Sequence, residues 1–148
     1  MVNRNNFGTL GNFGNGKARP PIVRRVAAQL LSSYLLVWVP GMFAIELLST
    51  LPSMGMRGVV AWLELAVHGT VAALCAVAGR MIRLGTPAAS TLAVAGIIAR
   101  AVVAIQSLFW TRLPTDVAPG TRGVFTALAC VNAAVWLGVV VWTRGSRQ

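Results

Sequence analysis

Four apolar runs dominate this chain of 148 residues: Ala27 to Ser49, Gly58 to Gly79, Pro87 to Trp110 and Gly123 to Thr143. Each is close to the roughly 20 residues that an α-helix needs to cross the hydrocarbon of a bilayer. None could be a single strand, and a membrane interior admits only helices or closed barrels, since backbone N–H and C=O groups find no water there. Composition agrees: 56% of the residues are hydrophobic and 11% charged, against about 25% charged in a typical soluble domain. The sequence therefore predicts an all-α, polytopic membrane protein with four transmembrane helices in an up-down bundle over residues 27–143. A basic, Gly/Asn-rich tail of residues 1–26 precedes the bundle and a short basic end, 144–148, follows it. No stretch outside the spans is large enough for a soluble catalytic domain.

The net charge of +10 is first a statement about topology. Arg4, Lys17, Arg19, Arg24, Arg25, Arg80, Arg83, Arg144 and Arg147 fall on one side of a four-span arrangement. Only Arg57, Arg112 and Arg122, with Asp116 among them, fall on the other. This is the positive-inside pattern, which places both termini in the cytoplasm and fits a bacterial inner (plasma) membrane. Anionic lipid headgroups are the expected counter-charge, and nucleic acid is not an expected partner.

Within the tail, Asn6-Phe7-Gly8 recurs as Asn12-Phe13-Gly14. Gly and Asn at this density oppose a helix, so a solvated tail is expected. Pro40-Gly41 interrupts the first span and predicts a kink there. Thr86-Pro87 reads as an N-cap followed by proline at the first helical position. On the third span Ala89, Ala93, Gly96, Arg100, Ala104 and Ser107 form a seam of mostly small residues at helical spacing, which favours close helix approach in lipid. Trp62, Trp110 and Trp142 mark the interfaces, whereas Trp38 and Trp136 are expected to pack inside. Cys75 and Cys130 are predicted at different depths, too far apart for a disulfide. Leu51-Pro52 with Arg57-Gly58-Val59 faintly parallels Leu113-Pro114 with Arg122-Gly123-Val124, as two tandem hairpins would.

Polar residues concentrate in the outer half of the bundle. Glu64 and His68 lie four residues apart and therefore share a helix face. Arg100, Gln106, Asn132 and Glu46 fall at comparable depth on the other spans. An unpaired Arg at mid-membrane costs about 2.5–3.5 kcal/mol on the insertion scale, so Arg100 is expected to find a carboxylate, with Glu64 the preferred partner. The candidate site is thus a polar intramembrane cluster of Glu64, His68, Arg100, Glu46, Gln106 and Asn132, fit for a ligand or a proton. Packing glue is the competing explanation for the same residues.

No Ser-His-Asp set, paired-His motif or Gly-rich phosphate loop is present, which argues against an enzyme, and no catalytic residue or metal ligand is assigned. The expected role is a non-enzymatic accessory, assembly or scaffold component of a membrane complex, working with a protein partner or a second copy of itself. The alternative is a small proton-coupled transporter using the Glu/His/Arg cluster. A third reading, a haem- or quinone-associated anchor, would use His68 as an axial ligand to haem b. It requires a second ligand from elsewhere, because His68 is the only histidine. Otherwise no cofactor is expected.

Overall fold

The computed structural model describes residues 22–109 and 118–144. These form helices and connecting turns, with no strand among them. The first span is Ile22–Met56, built from α1 (Ile22–Ser33), a π-helical turn (Tyr34–Trp38), α2 (Val39–Thr50) and a 3-10 turn (Leu51–Met56). The others are α3 (Gly58–Leu84), α4 (Ala89–Phe109) and α5 (Arg122–Arg144), the last entered through a 3-10 turn, Pro119–Thr121. All four are long and apolar enough to cross a membrane. The basic tail before Ile22, Trp110, the outer loop holding Asp116 and the last four residues lie outside the described residues.

The helices overrun the apolar runs at several ends. Hydropathy marks where hydrocarbon stops, whereas a helix stops where its backbone bonds are capped. Thus α1 includes Arg24 and Arg25, and α3 continues through Arg80 and Arg83 to Leu84. Gly85 ends α3 at φ +70°, a conformation in which a side chain would be strained. The Gly85 and Thr86 N–H groups donate to the carbonyls of Ile82 and Met81, the paired bonds of a Schellman C-cap. Thr86 also turns its hydroxyl back to the Met81 carbonyl. It therefore closes α3 instead of capping α4, which starts only at Ala89.

The expected break at Pro40 takes a particular form. Pro40 has no N–H, so the Leu36 carbonyl cannot receive its α-helical bond. One residue earlier, the Val39 N–H donates to the Tyr34 carbonyl, five residues back. The result is the π turn Tyr34–Trp38 in the middle of the span, a departure that re-aims side chains and recurs at functional sites.

Neighbouring spans approach closely where glycine leaves room. A Cβ on Gly79 would stand 2.8 Å from the Ser32 carbonyl oxygen and 2.9 Å from the Leu36 nitrogen. One on Gly69 would meet the Phe43 ring at 2.9 Å, and one on Gly96 the Cys75 sulfur at 3.0 Å. The first span packs on α3, α3 on α4 and α4 on α5; α1 then meets α5, but α2 makes no comparable contact with it. Leu31, Leu35, Val39, Val71, Ala72, Cys75, Ala78, Ala93, Ile97, Val103 and Val140 form the main core. A smaller cluster of Met54, Ala61 and Leu65 lies where the first span turns into α3. Large apolar side chains such as Val59, Leu63, Val124 and Val131 remain more than half exposed. An apolar exterior of this extent suits lipid and would be a liability in water.

Candidate functional site

The structure divides the expected polar cluster in two. On one side of the bundle Nδ1 of His68, on α3, lies within hydrogen-bond distance of Oε1 of Glu46, on α2, at 2.7 Å. The His68 side chain is 10% exposed and that of Glu46 33%, so the imidazole is the sheltered partner. Glu64 is half-buried one turn outward on the same helix, as the spacing predicted.

Arg100 belongs to the other side, and the expected Glu64–Arg100 ion pair is not formed. Register is the reason. Gly96 abuts Cys75, so the residue of α3 level with Arg100 is Val71, and Glu64 stands ~10 Å further outward along the axis. Among the described residues no carboxylate comes within salt-bridge distance of Arg100.

Arg100 instead lines a cavity of about 520 Å³ between the first span, α4 and α5. Tyr34, Trp38 and Met42 form one wall, Ile97, Ala101 and Ala104 the floor around Arg100, and Phe125, Leu128, Ala129, Asn132 and Ala133 the other wall. The Tyr34 hydroxyl donates to Oδ1 of Asn132 at 2.8 Å. Its ring stacks on Trp136 with centroids 4.4 Å apart and planes 17° from parallel. This stack bridges the first and fourth spans where they part: α1 touches α5 and α2 stands away from it beyond. The cavity occupies that gap. Trp38, 63% exposed, and Leu128, 58% exposed, stand on its rim, so the opening faces sideways, where acyl chains would lie. Trp38 is therefore a rim residue and not the interior packing residue expected.

Gln106 is exposed on α4 and makes no side-chain hydrogen bond to the other five site residues among the described residues. The small-residue seam of α4 is used unevenly. Ala89, Ala93 and Gly96 are buried, whereas Arg100, Ala104 and Ser107 are half-buried, the first two lining the cavity. Sequence reasoning missed Tyr34 and Trp136. The available signal was two i, i+4 pairs, Tyr34 with Trp38 and Asn132 with Trp136, each placing its members on one helix face. Among the described residues no three His, Cys, Asp or Glu side chains converge as a metal site. Cys75 is buried and Cys130 exposed, both as free thiols.

No protein-family model, no curated protein and no solved structure matches this chain.

Proposed function

We propose that this four-span chain is a non-enzymatic accessory, assembly or scaffold component of a membrane complex, joined to its partner through the fourth span. The observation that carries this is how little of α5 the rest of the chain covers. In the most apolar window of that span 6% of residues are buried, against 33% for α3. Its uncovered surface presents Gly123, Ala127, Cys130, Ala134 and Gly138, all exposed and three or four residues apart. Small residues on one helix face let a second helix come close in lipid, where contact and not the hydrophobic effect drives association. A Cβ on Gly123 or Gly138 would meet nothing within 4 Å, so their small size relieves no crowding inside this chain. In this reading the bundle is up-down, with both termini on the cytoplasmic side of a bacterial inner membrane, where the basic residues gather.

Purification from native membranes in mild detergent tests the proposal. The protein is expected to elute with a partner or as more than one copy. Ala134→Trp on the bare face of α5 is expected to abolish that association, while Leu63→Trp, on an exposed face of α3, leaves it intact. Elution of the unaltered protein as a lone chain would overturn the proposal.

A second reading is favoured by one observation, the carboxylate–imidazole contact at membrane depth between Glu46 and His68. Intramembrane pairs of this kind serve as proton relays in carriers. Proton flux into proteoliposomes, lost in Glu46→Gln, would support it; absence of flux with the unaltered protein would end it.

A further inference from the structure

We infer that the lateral cavity binds a long-chain carboxylate drawn from the bilayer, with Arg100 holding the head group and the apolar walls holding the chain. Three features of the cavity lead there.

The first is charge. Arg100 is a permanent cation about 13 Å from the outer end of α4, near the middle of a hydrocarbon layer about 30 Å thick. No acidic side chain meets it among the described residues. A guanidinium at that depth needs an anion, and the cavity leaves space for one beside it.

The second is donor geometry. The planar fork of Arg matches a carboxylate through two parallel N–H···O bonds. Tyr34 donates its hydroxyl proton to Oδ1 of Asn132, which leaves the Asn132 amide N–H group as a further donor on the cavity wall. Arg100, the Asn132 amide and the Trp38 indole are all donors among the lining residues, so the ligand must supply acceptors.

The third is shape and access. Apart from these polar groups the walls are apolar, and the rim residues Trp38 and Leu128 lie on the lipid-facing exterior. A small inorganic anion would leave most of the roughly 520 Å³ empty or wet. A carboxylate on an alkyl chain satisfies Arg100 and fills the walls, and it reaches the opening through the bilayer without crossing water. A lipid phosphate shares the anionic head but keeps its charge and hydration at the surface, whereas a carboxyl group can enter hydrocarbon protonated and release its proton to water on pairing with Arg100.

The test uses the purified full chain in a neutral detergent and dibrominated stearate as the probe, since bromine quenches nearby indoles and Trp38 stands at the rim. Saturable quenching is expected, reversed by stearate but not by octadecanol or acetate. Arg100→Gln is expected to weaken binding roughly tenfold or more, the loss of a charge-assisted pair. Ala104→Phe, which fills the cavity and keeps the charge, is expected to abolish it. If Arg100→Gln does not fold, Ala104→Phe decides. Displacement by octadecanol as effective as by stearate would show that charge is unused and overturn the inference. Displacement by stearoyl lysophosphatidate as effective as by stearate would overturn the carboxylate assignment. Unchanged quenching in Ala104→Phe would overturn the location.

Discussion

Glu46 and His68 are twenty-two residues apart in sequence and 2.7 Å apart in space, a polar contact between the part of the first span beyond the π turn and α3 that adds to the apolar packing of Phe43 on Gly69. Interhelical hydrogen bonds in membranes contribute about 0.6 kcal/mol on average and reach about 1.7. His68→Leu is expected to lower stability by an amount near the upper figure, because it leaves the Glu46 carboxylate without its partner. Glu46→Gln, which can still accept a hydrogen bond, is expected to cost less. Reversible unfolding in mixed micelles measures both; equal, negligible effects would show that the contact does not hold the spans together.

Tyr34 carries two separable contacts, a hydrogen bond to Asn132 and a ring stack on Trp136. Tyr34→Phe removes the first and keeps the second, with an expected loss of about 0.6 kcal/mol. Tyr34→Ala removes both and adds about 0.5–1.5 kcal/mol for the aromatic pair. A double-mutant cycle with Asn132→Leu should recover the first quantity as coupling. Zero coupling would mean that the hydroxyl is satisfied elsewhere.

Glycines in this bundle divide into those under a neighbouring helix and those facing outward. Gly79→Ala would drive a methyl to within 2.8 Å of a backbone carbonyl, where no side chain can yield. A loss of about 1–3 kcal/mol is expected, as for other overpacked sites. Gly138→Ala meets nothing and should leave monomer stability unchanged or slightly raised, because alanine is the better helix former. Thermal unfolding in detergent compares the two; the opposite ranking would contradict the helix register described above.

The charge asymmetry gives a topology that labelling can check. Arg80 and Met56 are exposed at opposite ends of α3. In a Cys-free background, Met56→Cys is expected to react with a membrane-impermeant maleimide on intact cells, and Arg80→Cys only after lysis. The reverse pattern would place both termini outside.

The sequence by itself determined the four long apolar helices and the interruption at Pro40. Those are local properties: hydropathy is read over one stretch of chain, and a fixed rise of ~1.5 Å per residue converts position into expected depth. It also placed Glu64 beside His68 on one face, since both lie on the same helix. What only the tertiary structure decided is which polar residue meets which across helices. Depth alone made Glu64 and Arg100 look like partners. The contact of Gly96 with Cys75 and of Gly79 with Ser32 set the sliding and rotation of the helices instead. That register gave Glu46 to His68, separated Glu64 from Arg100, and turned Arg100 into the cavity bounded by Tyr34 and Asn132. That cavity lies where the Tyr34–Trp136 stack and the Tyr34–Asn132 hydrogen bond join the first and fourth spans. Close helix contacts are made by small residues whose partners are far away in sequence, and no local pattern encodes that choice.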